Sequence, residues 1–429
     1  MTPRLRGLLR LALLVSLMAQ ACGFDSAGIG GEGGALGPGD GASSASFDGS
    51  ASSAVDDASA STTPSTTQTP EPDTSGESSG STPATSDTPA TTDPGGSSES
   101  TDGAVVDDCP PDWWDVQWTH RRRVGISGEL LAGTDPEPVV LLRLGPQDLD
   151  YMVASDDGDD LRFVVEGAEL AYEIETWDVE GRTTVWLRLP ALPQAGTSVA
   201  MYWGNPAAAP ASDGAATWPD SYISVHHLGD EADATGIYTA FSSAPPAAGD
   251  GVIGQARDFD GVDDFLELPT EADFDFTTAF TVEAWIRVED FDAAWQAIVT
   301  KGDTAWRLHR NDSTSTAGFG SNGPAHNLDG ALAVDDGNWH SLAIVYGDGV
   351  KRLYVDGVQD VEATVADTIA TNSRPVQIGA NDQHGGRNFN GRIDEVRISS
   401  VARTPESIAW HHLAATSGVD TIGLLQICD

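Results

Sequence analysis

The sequence predicts an all-β protein in which a small β-sandwich is followed by a larger one, behind an export signal and a disordered tether. Two observations carry this prediction. Short alternating apolar and polar runs, broken by Gly, Asn and Asp, fill the chain after about residue 109 and are typical of antiparallel sheets. Before that point Ser, Thr, Gly, Ala, Pro and Asp dominate. We therefore expect a signal at 1–21, a tether at 22–108, sandwiches at 109–210 and 222–415, and a C-terminal tail at 416–429.

The start of the chain has the pattern of an export signal. Basic residues (Arg4, Arg6 and Arg10) precede an apolar stretch, Leu11 to Met18, that is too short to span a membrane. The following Ala19-Gln20-Ala21-Cys22 resembles a bacterial lipobox, which implies that Cys22 is lipidated and becomes the mature N-terminus. Gly23 in place of Asp after it favours the outer membrane. We expect an outer-membrane or cell-surface lipoprotein that touches the membrane only through this anchor, with ordinary cleavage after Ala21 as the alternative.

The tether, from about Gly23 to Asp108, contains 15 acidic residues and no Lys or Arg. Its apolar surface is too small to offset the entropy that folding would remove, so we expect it to be disordered. The whole chain carries a net charge of −44, and the part after the tether still has 51 acidic against 19 basic residues. A surface of this charge repels nucleic acid and anionic lipid, so neither is expected as a partner.

The first predicted domain contains several short strands and no convincing helix. They are Val139–Leu144, Leu161–Val165, Leu170–Trp177, Thr184–Leu189 and Ser198–Trp203. With the opening Trp118–Arg123 and the turn at Gly204-Asn205, these segments resemble a bacterial domain of unknown function. That domain precedes lectin-like modules in surface proteins and also occurs in proton-channel proteins of the MotA/TolQ/ExbB type. The resemblance implies no known activity.

Phe280 to Val288 is the clearest strand of the second predicted domain. Its apolar residues (Phe280, Val282, Ala284, Ile286 and Val288) share one face, and Thr281, Glu283, Trp285 and Arg287 share the other. This alternation predicts a half-buried antiparallel strand. Hairpins are predicted within 297–309 and 339–357, and further strands at 375–379 and 393–398.

Five ordered motifs in this region carry a resemblance: Phe259–Asp264, Phe280–Trp285, Asn338–His340, Leu353–Gly357 and Gly391–Ile398. The series closely resembles the laminin-G-like, concanavalin A-like jelly-roll modules of bacterial extracellular proteins. The resemblance implies a jelly-roll sandwich whose first and last strands lie close together, and many members bind Ca²⁺ or glycans. The segment after the last motif fits the short terminal helix of these modules, with Thr404 as its cap and Pro405 at its first position.

The metal candidates are Asp260, Asp263, Asp264 and Asp394. Ca²⁺ takes six to eight oxygens, which side-chain carboxylates and nearby loop carbonyls can supply. By resemblance, related sandwiches hold a structural Ca²⁺ where the first and last strands meet, and Asp394 matches the Asp of the last strand. The alternative is that Asp260 and Asp263 form a turn and Asp394 makes a strand-end hydrogen bond.

Glycan binding needs aromatic rings that stack on sugars and polar groups that bond to hydroxyls. Residues of both kinds occur in predicted strands and loops of the second domain, although most of the Trp side chains are expected in the core. The candidates are Trp295, Trp306, His309, Asn311, Asn322, His326, Asn381, Asp382 and His384.

Catalysis is not expected. Laminarinase-type relatives of the fold use a Glu-x-Asp-x-x-Glu strand, and the two partial matches, Glu231–Asp233 and Glu271–Asp273, lack the third carboxylate. The adjacent His226 and His227 point to opposite faces of a strand, so we expect structural residues and not a shared metal ion. The main hypothesis is a non-catalytic protein that binds an extracellular ligand, carbohydrate above all, with Ca²⁺ as structural support. A structural or adhesive role toward a surface protein and a glycoside hydrolase-like activity are the alternatives.

The cysteines suggest a covalent link between the ends of the folded part. With Cys22 assigned to the lipid, Cys109 and Cys428 remain. In an exported protein we expect them to form a disulfide that locks the two β domains together, with two free thiols as the alternative.

Overall fold

The computed structural model describes residues 109–191, 196–322, 326–365, 368–417 and 420–428. The predicted signal, the tether and Cys22 lie outside this part of the chain. Within it, no helix has the length and apolar character needed to cross a bilayer.

The first domain opens with strands that are short and rich in β-branched and aromatic residues. They are β1 (His120–Ile126), β2 (Val139–Leu144), β3 (Arg162–Val165), β4 (Ala168–Glu169), β5 (Tyr172–Thr176), β6 (Thr183–Arg188) and β7 (Thr197–Trp203). A one-turn helix, α1 (Gly214–Thr217), leads into the second domain.

The second domain continues the numbering of strands. They are β8 (Tyr222–His226), β9 (Ala247–Asp250), β10 (Gln255–Asp260), β11 (Leu266–Leu268), β12 (Phe280–Arg287), β13 (Ala297–Thr300), β14 (Trp306–Arg310), β15 (Thr316–Ser321), β16 (Leu328–Ala333), β17 (Trp339–Gly347), β18 (Val350–Val355), β19 (Val358–Thr364), β20 (Val376–Ile378) and β21 (Asn390–Ser399). A 3₁₀ helix (Glu271–Phe274) follows β11, and helix α2 (Pro405–Ser417) follows β21. The last strands are β22 (Asp420–Ile422) and β23 (Gln426–Ile427).

The first domain is a sandwich of two antiparallel sheets. One has the order β22-β1-β7-β3-β4, with β23 also pairing with β1, and the other has the order β2-β6-β5. Buried residues such as Val124, Phe163 and Val185 belong to the core of this domain. The segment predicted as a tail, 416–429, ends α2 and then supplies β22 and β23, so the chain returns to its first domain.

Cys109 and Cys428 form a disulfide, which confirms that prediction. Their Cα atoms are 4.6 Å apart although 319 positions separate them in sequence. The backbone N–H of Cys428 also donates to the carbonyl of Thr119 at 2.8 Å. The second domain therefore lies within a covalent loop that begins and ends at the first.

The second domain is a larger antiparallel sandwich, and it confirms the predicted all-β, jelly-roll fold class. Its eight-stranded sheet has the order β19-β18-β17-β12-β21-β10-β9, with β8 also pairing with β21, and its six-stranded sheet has the order β11-β20-β13-β14-β15-β16. The first and last strands are neighbours, as expected, because β8 and β10 both pair with β21. The core between the sheets includes Phe280, Trp306 and Phe319, all fully buried.

The prediction that β12 is half-buried is wrong, because both of its faces are covered. Thr281 is fully buried, and Glu283 and Trp285 are 8% and 6% exposed. Trp285 belongs to the same apolar cluster as Trp410 of α2 and the core residues of the first domain. Alternation along a strand distinguishes its two faces. It does not reveal that helix α2 and the first domain pack on the polar face of β12.

Helix α2 begins as predicted and is held at its end by the first domain. The Thr404 hydroxyl accepts a hydrogen bond from the Ser407 N–H at 3.0 Å, and Pro405 is the first helical residue. At the other end the Arg143 guanidinium donates to the carbonyls of Ala414 and Ala415 at 2.9 and 2.6 Å. A cation at a helix C-terminus satisfies carbonyls that have no partner within the helix.

Candidate functional site

The outer face of the six-stranded sheet carries polar side chains on β14. Trp306 and Leu308 of this strand point into the core, so Arg307 and His309 point outward. The neighbouring β15 has glycines at the matching positions. A Cβ at Gly320 would lie 2.3 Å from Cζ of Arg307, and one at Gly318 would lie 3.2 Å from Cε1 of His309. The glycines therefore leave the space in which these two side chains lie.

Asp303 connects the polar residues of this face. Its Oδ1 accepts hydrogen bonds from Asn381 Nδ2 and Arg387 Nη1, both at 2.8 Å, and its Oδ2 lies 2.8 Å from His384 Nε2. Burial raises the pKa of Asp303, but the guanidiniums of Arg307 and Arg387, with the Asn381 amide, outweigh it and hold the pKa below its ordinary value. Asp303 is thus an ionised acceptor at neutral pH.

Trp295 adds an aromatic ring to the same face. Its φ is 61°, a left-handed backbone conformation that is rare for a bulky residue. The half-buried ring has its centroid 5.4 Å from that of His309 and 6.0 Å from the Arg387 guanidinium carbon. Strain of this kind is concentrated at functional sites. We call Trp295, Asp303, Arg307, His309, Asn381, His384 and Arg387 the Trp295 face.

His309 lies beneath this ring as a neutral side chain. It is 1% exposed, and burial, followed by the charge of Arg307, lowers its pKa to about 3. Its Nδ1 lies 2.5 Å from the Arg310 carbonyl, which fixes the proton on that nitrogen. Its Nε2 has no hydrogen-bond partner among the described residues. The imidazole is therefore a buried, neutral support beneath the ring of Trp295, with one nitrogen that has no partner within the described chain.

Four of the predicted glycan contacts meet on the Trp295 face: Trp295, His309, Asn381 and His384. The others lie elsewhere. Trp306 is in the core and donates to the Phe274 carbonyl, Asn311 and Asn322 lie in turns beside β15, and Asp382 pairs with Arg374 at 2.8 Å. His326 accepts from Lys351 through its carbonyl.

The sequence prediction missed Asp303, Arg307 and Arg387. Alternation along β14 next to Gly318 and Gly320 could have indicated that Arg307 points outward across the neighbouring strand. Asp303 and Arg387 meet across 84 positions of sequence, and no local pattern reveals such a contact.

Three of the four metal candidates meet in the turn after β10. One oxygen from each of Asp260, Asp263 and Asp264 lies within 4.8 Å of the other two. The carboxylates also shape the turn, since Asp264 Oδ2 accepts from the Asp260 N–H at 2.9 Å and Asp260 Oδ1 accepts from the Val262 N–H at 2.8 Å. Burial and the charges of Asp260 and Asp263 raise the pKa of Asp264. Three neighbouring carboxylates, of which Asp260 and Asp263 are exposed, are the type of donor that a hard cation prefers.

Asp394 does not lie with the other three. In the pairing of β10 with β21, Asp260 is opposite Asn390, four residues before Asp394. Four strand positions correspond to about 13 Å. Asp394 is fully buried where the two domains meet, and its Oδ2 accepts from the N–H groups of Val252 and Ile253 at 2.7 and 3.1 Å. The sequence motif correctly assigned Asp394 to the strand that pairs with β10. The pairing of these two strands keeps Asp394 away from the turn that holds the other three carboxylates.

The carboxylates of the two partial motifs have structural partners. Glu231 pairs with Arg257 at 2.9 Å, and Asp233 accepts from the N–H groups of Val225 and Tyr238, both at 2.8 Å. Glu271 binds the buried Lys301, and Asp273 accepts from the Tyr238 hydroxyl at 3.0 Å.

Two family models match parts of the chain. Residues 260–409 match the concanavalin A-like lectin/glucanases superfamily, and residues 157–243 match a domain of unknown function, DUF2341. No curated protein matches the chain in sequence.

The chain is also similar to solved structures. One is domain 4 of a GH43 extracellular arabinanase from Geobacillus stearothermophilus, in complex with arabinotriose, at 21% identity and a TM-score of 0.38 over 44% of this chain and 97% of that one. A second is the binding domain of Paraclostridial Mosquitocidal Protein 1, at 13% identity and a TM-score of 0.39 over 45% and 52%. A third is the binding domain of botulinum neurotoxin DC in complex with SialylT, at 14% identity and a TM-score of 0.37 over 46% and 52%. The match spans about half the length of the last two chains.

The sheet orders and the family match agree on the second domain. The match begins at the end of β10 and ends within α2, so it includes the whole six-stranded sheet and, of the eight-stranded sheet, strands β12, β17, β18, β19 and β21. Residues 260–409 therefore belong to a concanavalin A-like domain, and the DUF2341 match runs from before β3 of the first sandwich to beyond β8 of the second.

Proposed function

We propose that the protein is a non-catalytic binding protein whose Trp295 face binds an extracellular carbohydrate. The observation that carries the proposal is the half-buried ring of Trp295, held at a φ of 61° beside a charged hydrogen-bonding cluster. Sugar rings stack on aromatic faces, and their hydroxyls bond to fixed polar groups. The partly exposed side chains of His384 and Arg387, 44% and 20% exposed, supply such groups next to the ring.

The carboxylates near this face favour binding over hydrolysis. Glycoside hydrolysis uses two carboxyl groups, one of which must hold a proton as general acid. Asp303 has a lowered pKa and is occupied by Asn381, His384 and Arg387. The nearby Asp382 pairs with Arg374. Asp303 is therefore not suited to donate a proton to a leaving group.

We extend the proposal to a supporting cation and to an anchor. Asp260, Asp263 and Asp264 would hold Ca²⁺, which would stiffen the turn after β10 through its preference for oxygen donors. The lipobox-like sequence would anchor the protein at the outer membrane or cell surface through Cys22. The intact mass of the protein extracted from membranes tests the anchor, because a lipid adds mass that Cys22→Ala abolishes.

The binding proposal is tested with the purified chain on an array of neutral and acidic oligosaccharides, with Ca²⁺ and again with EDTA. The oligosaccharide that binds most strongly on the array is then titrated into the protein by calorimetry. We expect Trp295→Ala to weaken binding by about 2 kcal/mol, roughly 30-fold, because truncating a central aromatic anchor removes most of its contact.

Trp114→Ala is the matched control, since it removes another half-buried indole from the first domain and should leave binding unchanged. Trp295→Phe should retain part of the affinity. Equal affinity of wild type and Trp295→Ala would exclude this face. Absence of binding on the whole array would favour the adhesive, protein-binding alternative, and release of reducing sugar from a polysaccharide would favour the hydrolase.

A further inference from the structure

A buried group of polar side chains lies where the two β domains meet. His227, which follows β8, faces Glu175 of β5 and Glu395 of β21. Its Nδ1 is 2.8 Å from Glu395 Oε1 and 3.6 Å from Glu175 Oε2, and one donor atom from each residue lies within 4.8 Å of the others. The imidazole is stacked on Trp186, with ring centroids 5.5 Å apart.

A bulge in β21 brings two acidic residues to this interface. Ile393 and Val396 point into the core of the second domain, while the pairing of β21 with β12 shifts between Glu283 and Trp285. Glu395 has a φ of 50°, so the extra residue is accommodated in a left-handed conformation. Strain at a non-glycine residue of a buried strand indicates that the position of its side chain matters.

Other groups hold the remaining atoms of these side chains. Glu173 Oε2 lies 3.4 Å from His227 Nε2, Arg397 donates to Glu395 Oε2 at 2.5 Å, and the Trp186 N–H donates to Glu175 Oε2 at 2.7 Å. A carboxylate on the distal nitrogen of a histidine is the usual outer shell of a metal ligand, because it fixes the tautomer and the ring orientation.

Asp394 provides an independent sign that a ligand belongs here. It is fully buried, and its Oδ1 has no hydrogen-bond partner among the described residues. The carboxylate is near enough to Glu395 and Glu175 to repel both. A buried carboxylate oxygen without a partner is costly, so a group that binds it stabilises the folded protein.

The charges point to a cation. Four carboxylates, those of Glu173, Glu175, Asp394 and Glu395, belong to this group. Within the described chain, the cationic partners that contact them are His227 and Arg397. Carboxylates therefore outnumber basic side chains in this group, which favours a cation as a further partner.

We propose that Glu175, His227 and Glu395 bind a divalent transition-metal ion of the Zn²⁺ class, which joins the first domain to the second. An imidazole nitrogen with a few carboxylate oxygens suits such an ion better than Ca²⁺, which requires more oxygens. Two ligands of a tetrahedral Zn²⁺ lie about 3.4 Å apart, and the observed 2.8 and 3.6 Å bracket that value. The ion takes the place of the proton between His227 and Glu395.

The test uses the purified full chain, stripped with a chelator and equilibrated with Zn²⁺ in excess Mg²⁺. Mg²⁺ occupies the many surface carboxylates, so that elemental analysis counts only tightly bound zinc. We expect one tightly bound zinc per chain and a visible Co²⁺ spectrum when cobalt replaces it. Glu175→Gln and His227→Gln should abolish both signals.

Glu173→Gln keeps all the proposed ligands and should lower zinc affinity by about ten- to a hundredfold through the loss of the His227 partner. The Asp260→Asn, Asp263→Asn, Asp264→Asn triple variant is the control and should bind zinc like the wild type. Far-UV circular dichroism checks that each variant is folded. Absence of tight zinc in the wild type, or equal affinity in folded Glu173→Gln and Glu175→Gln, overturns the proposal. The Trp295 face lies on the other sheet, so its carbohydrate test is decided separately.

Discussion

Lys351 links the stability of the second domain to pH. It lies on β18 on the same face as Leu353 and Val355, which belong to the core between the sheets. Its ammonium donates to the carbonyl of His326 and lies 4.7 Å from the centroid of the Phe319 ring. Burial, with a smaller effect of Arg307, lowers its pKa to about 7. The folded protein therefore holds a side chain whose charged form is disfavoured.

We expect Lys351→Met to raise the free energy of unfolding by about 1–3 kcal/mol near pH 6, because no ammonium is then held away from water. The pKa of Lys351 is about 7 in the folded protein and has an ordinary value near 10 in the unfolded chain. Between these two pH values the unfolded chain binds one more proton than the folded protein. The stability of the wild type therefore rises with pH across this interval, and the advantage of the variant shrinks. Urea denaturation at several pH values measures the difference.

Arg352→Met is the control for Lys351→Met. Arg352 points to the other face of β18 and pairs with Glu362 at 3.3 Å, so its replacement removes the same charge without a buried ammonium. Its effect on stability should be small and constant over the same pH range. A difference between wild type and Lys351→Met that stays constant or widens toward alkaline pH would contradict the assignment.

At the level of strands and helices, the sequence predicts what local pattern encodes. Alternation predicted β12, and a cap followed by proline predicted the start of α2, because both signals lie within a few residues. The burial of Thr281, Glu283 and Trp285 could not be predicted, since the covering helix and domain are distant in sequence. The one-residue bulge at Glu395 likewise has no local signature, yet it decides which side chains reach the domain interface.

The candidate sites were likewise predictable only where their residues lie close together in the sequence. Asp260, Asp263 and Asp264 lie within five residues, so their meeting could be expected from a turn. The Trp295 face joins β14 to loops more than 70 positions away, and four of its seven members could be named from the sequence. The group around His227 draws on two domains, and no pattern within either one indicates it.

The capped start of α2 gives a prediction at this scale. Thr404→Ala removes the acceptor of the Ser407 N–H and the hydroxyl that donates to the Gly133 carbonyl at 2.8 Å. We expect the free energy of unfolding to fall by about 1–2 kcal/mol. Thr404→Ser keeps the hydroxyl and should restore most of it. Urea denaturation of the three proteins measures the effect, and equal midpoints for wild type and Thr404→Ala would show that the cap contributes little.

At the scale of the whole molecule, the chain leaves the first domain, forms the second and returns. Strands β22 and β23 pair with β1 on this return, and the Cys109–Cys428 bond closes the path. Trp285 and Trp410 of the second domain share an apolar cluster with the core of the first. The two domains therefore stabilise each other through packing as well as through the covalent loop.

The covalent loop is tested by the Cys109→Ser, Cys428→Ser double variant. Opening a loop of 319 positions frees the unfolded chain, which in the chain-entropy model lowers the free energy of unfolding by at most about 5–6 kcal/mol. We expect the observed loss to be smaller, because an unfolded chain that keeps residual structure gains less freedom when the bond is removed. Urea denaturation followed by Trp fluorescence, with and without reductant, measures it. Reductant should destabilise the wild type and leave the double variant unchanged, whereas equal midpoints for oxidised and reduced wild type would show that the bond does not constrain the unfolded chain.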